Sequence, residues 1–516
     1  MKQLLYFILC FLLLLAVGKP SPGQKTGKLP SVEAYYPFLK WLASPGLEGR
    51  ETGSTGAAMA ADSIAVEMRL AGLLPLYSSG SSDDESLSGF FQSVPLIRYS
   101  PAAGAIWFSS DKRNIPIQLE QGSDFTTEYA FRSLDLSCGL VCAGYGIRTE
   151  TPEWNDYRDL EVRGKVVMIR EGYPEPDNKT VSGLEAMQKL ADSDGFDLAA
   201  RSREAFMRGA VAVLVIPEGF DPAAEMGKSA DSPSGLPYQD AYYQPAGIKL
   251  PDQVPLLLLT TSGVQKFLKP ARFRNVWPTG SHDAKAPART KEERITLKIE
   301  VVPQTINSFN VTGVLTGTDT THCLVIGAHY DHLGIRGQVV YPGADDNASG
   351  VAGLLALASA WSRSGRTPPC NIVFAAWTAE EKGHHGSQTF VSSLDDPRKV
   401  KLYINMDMIS RSESADSTRS KLSIGTRTAD EYLRETVQKC NIQLDKPFQL
   451  DLWDVTGAHG SDYASFMAAG LPILTFNTGL HEDYHTPRDL PEAVDLDKMG
   501  RVLKLIDQIF RTLYPE

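Results

Sequence analysis

The chain has 516 residues, 42% of them hydrophobic and 22% charged, the composition of a globular protein long enough for two domains. A formal net charge of -11 argues against nucleic acid or an anionic membrane surface as the principal partner.

Lys2 followed by the almost wholly apolar residues 4–17 forms a positive n-region and an h-region, and Ala16-Val17-Gly18 offers the small residues of a cleavage site. The run is shorter than the roughly 20 residues that span a bilayer. Residues 1–18 are therefore expected to be a signal peptide and the protein to be exported, with Lys19 as the mature start and no stable membrane span after cleavage. Of the six cysteines, Cys10 lies inside this run. The rest are odd in number and cannot all pair within the chain, so they are expected to be buried free thiols rather than a disulfide framework.

Residues 19–30 are rich in Pro, Gly and Lys and read as a lead-in. From Ser31 the chain turns helical, and Ala57, Ala60, Ala61, Ile64, Ala65 and Met68 form a stripe at helical spacing that Gly72 ends. Before that stripe, Leu47-Glu48-Gly49-Arg50-Glu51-Thr52-Gly53-Ser54 reads as a fixed, non-helical connection. Residues 78–88 are a polar Ser- and Asp-rich loop.

Between 105 and 290 the pattern changes to strands separated by many turns, clearest at 141–146, 164–169 and 210–216, with a helix at 201–209 and a long loop at 232–245. No cluster of histidines and acids occurs there. This segment is expected to be a non-catalytic insertion into a domain made of residues 31–104 and 291–516.

From Ile295 strands and helices alternate. Leu324, Val325, Ile326, Gly327 and Ala328 form an apolar run without polar alternation, as in a parallel strand covered on both faces, and His329 sits where it stops. Similar runs at 372–377, 402–406 and 473–476 precede Glu380-Glu381, Asp407 and His485. After His329 a Gly-rich loop leads to Gly343-Ala344-Asp345-Asp346-Asn347. A helix with Val351, Leu354, Leu355, Ala358 and Trp361 on one face follows, so the loop returns two acids to the neighbourhood of His329. Open parallel sheets gather their ligand sites at the carboxyl ends of the strands, which brings these residues into one cleft. A last helix, with Val502, Ile506, Ile509 and Leu513 on one face, closes the fold. The expected class is α/β, a mixed sheet with a mostly parallel core flanked by helices, carrying a β-rich insertion.

Two histidines and three carboxylates at strand ends are a ligand set for a pair of divalent cations, zinc matching best. A carboxylate can bridge two such ions, and Asp345 is the residue expected to do so, with Asp346 as a helix cap or support. Glu380 and Glu381 are adjacent, so that one can bind metal while the other acts as a general base.

His329-x-Asp331, Gly343-Ala344-Asp345-Asp346-Asn347-x-Ser349-Gly350, Glu380-Glu381-x-Gly383-x-x-Gly386-Ser387, Asn405-Met406-Asp407-Met408 and Tyr484-His485-Thr486 together resemble the dinuclear zinc exopeptidases of the secreted aminopeptidase and glutamate carboxypeptidase type. The Gly49-Arg50-x-Thr52-Gly53-Ser54 segment is similar to the N-terminal signature of that family, and the insertion resembles a protease-associated domain. The resemblance implies two zinc ions per chain, one held by His329, Asp345 and Asp407 and the other by Asp345, Glu381 and His485. It further implies Glu380 as the general base, Tyr484 as an oxyanion donor, and Asp331 as the acid that orients His329. His332, His384, His385 and His481 read as wall or surface residues, and the Asn347-Ala348-Ser349 sequon as a false glycosylation signal.

The expected function is a secreted dizinc aminopeptidase acting on peptides, since carboxylates beside the metals attract a free α-amino group. A carboxypeptidase or amidohydrolase on the same scaffold would need a basic residue to receive a substrate carboxylate, for which Arg336 and Arg411 stand in nearby loops. A receptor-like protein on a dead scaffold would lack ligands, and none is lacking.

Overall fold

The computed structural model describes residues 32–77, 87–110, 113–150, 153–172, 197–217, 241–268, 293–456 and 460–515. The expected signal peptide with Cys10, the lead-in, and most of the 78–88 and 232–245 loops lie outside the described residues. The chain divides into two compact units, Met1–Pro95 with Asn307–Glu516, and Leu96–Ile306. The second unit runs from 96 to 306, where the sequence reading expects an insertion at 105–290. Both limits fall inside long strands, Phe91–Ser110 and Glu293–Leu315, where no turn or change of composition marks them.

In the first unit, helices α1 (Tyr36–Leu42) and α2 (Thr55–Leu70) precede the sheet. Its strands are β1 (Glu293–Leu315, in its C-terminal part), β2 (Asp319–His329), β3 (Cys370–Trp377), β4 (Val400–Met406), β5 (Lys421–Thr426), β6 (Gln449–Asp454) and β7 (Ile473–Asn477). They lie in the order β6-β5-β7-β4-β2-β3-β1. β3, β2, β4 and β7 are mutually parallel, while β1 on β3 and β5 on β7 are antiparallel. Helices α3 (Gly350–Arg363), α4 (His385–Ser392), α5 (Glu431–Asn441), α6 (Tyr463–Ala468) and α7 (Leu496–Leu513) complete the unit.

The uninterrupted apolar run of β2 serves two cores. Leu324, Ile326 and Ala328 pack with residues of α2, α3 and α7, whereas Val325 packs with Trp377, Tyr403 and Phe466 on the other face. Each fully buried aliphatic side chain of this kind contributes roughly 1.5–3 kcal/mol of transfer free energy, so the central strands are firmly placed. Successive strands of the chain lie on opposite sides of β2, since β3 pairs with one edge of it and β4 with the other. A crevice at the carboxyl end of β2 is the consequence. Gly327 is required there. A Cβ on it would stand 2.2 Å from Trp377 Nε1 and 2.6 Å from Tyr403 Oη, the two atoms that hydrogen-bond across the strand at 2.9 Å.

In the second unit, parallel strands Leu134–Cys142, Val166–Arg170, Ala212–Ile216 and Leu256–Leu259 stand side by side, and Phe125–Glu128 adds an antiparallel edge. Helices Leu198–Met207 and Thr261–Leu268 cover this sheet's apolar residues. The second unit is β-rich and carries these two helices on its sheet. Cys138, Cys142, Cys323, Cys370 and Cys440 are all free thiols. Among the described residues no helix is long and apolar enough to cross a membrane.

Candidate metal centre

The charged residues that follow β2, β3, β4 and β7 converge. His329, the last residue of β2, points Nε2 at Asp407 Oδ1, 3.2 Å away, and at Asp346 Oδ1, 3.3 Å away. His485, in the loop after β7, places Nε2 3.1 Å from Asp346 Oδ2 and 3.4 Å from Glu381 Oε2. The Asp346 carboxylate therefore lies between the two imidazoles, one oxygen toward each. Ala379, His384, Met408 and His485 all take left-handed φ between 55° and 59°, a conformation that non-glycine residues seldom adopt and that concentrates where loops must aim side chains at a site.

The central acid is thus Asp346, and Asp345, expected to be the bridge, has a different task. Gly343 is left-handed at φ 58°, and Asp346 itself leaves the helical region at φ -102°, ψ 92°. This turn rotates the second acid into the cleft and the first away from it. Asp345 accepts hydrogen bonds from the amides of Ser410 and Arg411 at 3.0 and 2.9 Å, and so braces the loop after Asp407. Asn347 is fully buried, donating to Met406 O at 2.9 Å and accepting from Gly350 N at 3.0 Å, which agrees with a false sequon.

Asp331 also differs from expectation. His329 Nδ1 is 3.1 Å from the backbone oxygen of Asp331 but 3.9 Å from its carboxylate. The main chain fixes the tautomer that leaves Nε2 free for the cleft. The Asp331 carboxylate instead accepts from Thr52 Oγ1 at 2.8 Å and from the amide of Glu380 at 3.1 Å, so it holds the backbone of the residue expected to act as base. Arg50, buried in the same N-terminal connection, donates to the carbonyls of Tyr330, Pro342 and Gly343 and ties together the segments that carry His329 and Asp346.

Further side chains set the acids. Ser461 Oγ donates to Asp407 Oδ2 at 2.7 Å and accepts from Asn405, which in turn accepts from Tyr403, so a buried polar chain runs from the core to the site. His332, read from the sequence as a wall residue, has Nδ1 2.7 Å from Glu381 Oε1. Its signal was the extra histidine in His329-x-Asp331-His332. His384 stands 3.4 Å from Glu380 Oε1, and Tyr484 stacks on His485 with ring centres 3.8 Å apart.

The electrostatics are those of crowded negative charge. Burial, with Asp407 and Glu381 nearby, raises Glu380 well above the ordinary carboxyl range. Burial opposes the protonation of His329 and His485, yet the neighbouring acids prevail. Glu380 and Asp407 push His329 well up, and Asp346 and Glu381 raise His485 to about 10. Against its burial, Asp346 is held well below the usual range by His332, His329 and His485.

These residues fit a divalent-cation centre on the chemistry of the donor set. Ligand atoms of His329, Asp346 and Glu381 lie within 4.8 Å of one another, as do those of His329, Glu380 and Asp407. Imidazole nitrogen and carboxylate oxygen suit zinc-like ions, and the imidazoles take up the protons that such ions would displace.

Residues 310–509 match Peptidase family M28. A leucine aminopeptidase 2 from Trichophyton rubrum is 38% identical over 120 residues, 22% of this chain and 23% of that protein. The chain thus spans less than a quarter of the length of the leucine aminopeptidases it matches. An aminopeptidase from Aneurinibacillus sp. strain AM-1 has a TM-score of 0.61 at 19% identity, with 95% of both chains covered. A zinc aminopeptidase from Bacillus subtilis has a TM-score of 0.53 at 20% identity, covering 94% of this chain and 96% of that one. At these identities the structural likeness is one of fold. His329, the 343–350 loop, Glu380-Glu381, Asp407 and His485 all lie inside the residues that match Peptidase family M28.

Proposed function

We propose that the protein is an exported dizinc aminopeptidase. The observation that carries this reading is the Asp346 carboxylate, which offers one oxygen to His329 at 3.3 Å and the other to His485 at 3.1 Å, with Asp407 and Glu381 beside them. His329, Asp346 and Asp407 would hold one zinc, and Asp346, Glu381 and His485 the second. When bound, the metals supply Lewis-acid polarisation of the scissile carbonyl and acidify water.

Glu380 then acts as general base and acid. Its carboxylate takes a proton from the attacking water and delivers it to the leaving amine, while the Asp331 carboxylate fixes its backbone. Tyr484, ordered by stacking on His485, donates its phenol to the oxygen that gains charge.

The excess of carboxylates favours a substrate with a free α-ammonium group, and the leucine aminopeptidase names of the relatives agree with this. Carboxypeptidase action receives less support. Of its two basic candidates, Arg336 is paired with Glu51 at 3.4 Å and Arg411 with Asp483 at 2.8 Å. Export is supported by Lys2 and the apolar residues 4–17, and a protease-associated role for the insertion by its resemblance to such domains.

The test is a zinc titration of metal-free protein, followed by elemental analysis and hydrolysis of leucine 4-nitroanilide. Two zinc ions per chain with activity returning alongside them is the expected result. One ion per chain, or full activity in the presence of a chelator, would overturn the dizinc reading.

A further inference from the structure

Three loops carry three of the residues of the centre, beside His329 and Glu381. They are the 343–349 turn with Asp346, the 407–411 segment with Asp407, and the 478–489 segment with His485. Each presents negative charge to the others, so convergence of the acids is unfavourable unless something fixes the loops. Arg411 lies where all three meet, with its side chain only 14% exposed.

The contacts form a closed ring. The amide of Arg411 donates to Asp345 Oδ2 at 2.9 Å, which joins the second loop to the first. Its guanidinium donates through Nη2 to Asp483 Oδ2 at 2.8 Å, which joins the second loop to the third two residues before His485. Nη1 lies 3.6 Å from Asp489 Oδ1. Asp489, fully buried, accepts the amides of Asp345 and Asp346 at 3.0 and 3.1 Å, which joins the third loop back to the first. Asp483 and Asp489 are acids of the His485 loop that face Arg411 rather than His329 or His485.

We propose that Arg411 is a positioning residue that locks these three loops into one preformed unit and so governs how tightly the centre retains its metal. This rests on the dizinc reading above. A planar guanidinium can address two acids at fixed angles, which the point charge of lysine cannot do. Residues that hold ligands from behind typically change metal affinity by about 10–100-fold when replaced.

The test compares the zinc-loaded wild-type chain with Arg411→Met, Arg411→Lys and Arg488→Ala, following zinc transfer to a chromogenic chelator alongside thermal unfolding. Arg488 meets the same Asp483 at 2.6 Å but is 67% exposed, so it is the control for a solvent-screened contact. Arg411→Met should release zinc about 10–100-fold faster, Arg411→Lys should fall between it and wild type, and Arg488→Ala should stay within about twofold of wild type. Should Arg411→Met not fold, Asp483→Asn reads the same contact with an isosteric side chain and should also release zinc faster. Release at the wild-type rate from folded Arg411→Met or from Asp483→Asn, or equally fast release from Arg488→Ala, overturns the proposal. A wild-type chain that holds no zinc would instead overturn the dizinc reading, and the proposal with it.

Discussion

Asp345 and Asp346 are neighbours in the chain whose carboxylates serve different loops. Asp345 accepts the amides of Ser410 and Arg411, whereas Asp346 lies between His329 and His485. Asp346→Asn should lose both zinc ions and activity together. Asp345→Asn should still bind two ions at saturating zinc, with affinity lowered about tenfold. Zinc content and activity measured side by side check this, and the reverse ranking would return the bridge to Asp345.

Glu380 lies beside the ligands but is expected to bind neither ion. Glu380→Gln keeps the shape of the side chain and removes its basicity. Turnover should fall by about 10²–10⁴-fold, the usual scale of general acid–base catalysis, with zinc content unchanged. Near-normal turnover in this variant would remove Glu380 from the proton transfer.

Thr52 and Asp331 join the N-terminal connection to the site. Thr52→Val leaves an oxygen of the buried Asp331 carboxylate without its donor, and the lost hydrogen bond to a charged group should cost about 1.5–3 kcal/mol. Because Asp331 also holds the Glu380 amide, kcat should fall more than KM changes. A denaturant midpoint and steady-state kinetics give the two readings, and an effect on stability alone would limit Thr52 to support of the fold.

Glu128, in the second unit, offers a test by pH. Burial first, then the charge of Glu171, raises its carboxyl from the ordinary 4.5 to about 7. The folded state therefore binds a proton that the unfolded state has already released. This contribution favours folding below about pH 4.5 and is lost as the pH rises through 7, on the order of 2 kcal/mol. Glu128→Gln should flatten that slope, gaining stability over wild type at pH 8 but not at pH 4. Parallel pH profiles for the two proteins would show that Glu128 titrates normally.

Much of the centre was legible because buried parallel strands are apolar, so His329, Glu380-Glu381, Asp407 and His485 stand out where the runs end. The choice between Asp345 and Asp346 was not, since it depends on the backbone of a turn rather than on residue type. The resemblance pairs the Asp331 carboxylate with His329, yet the Asp331 backbone makes that contact while the carboxylate reaches Thr52 and Glu380, far apart in sequence. β5 and β6 escaped notice because they are short and, toward the sheet edge, partly exposed. β6 in particular carries Asp451 and Asp454 between its apolar residues. The limits of the insertion were hidden inside continuous strands, which bear no turn residues.

The proposed activity is that of a metal-dependent enzyme that recognises a free amino terminus. It is tested most directly by offering the purified protein matched peptides with free and N-acetylated termini, before and after chelation, and again after zinc is restored. Release of the N-terminal residue from free peptides only, lost on chelation and recovered with zinc, is the expected result. Equal cleavage of acetylated peptides, or cleavage that survives chelation, would contradict it.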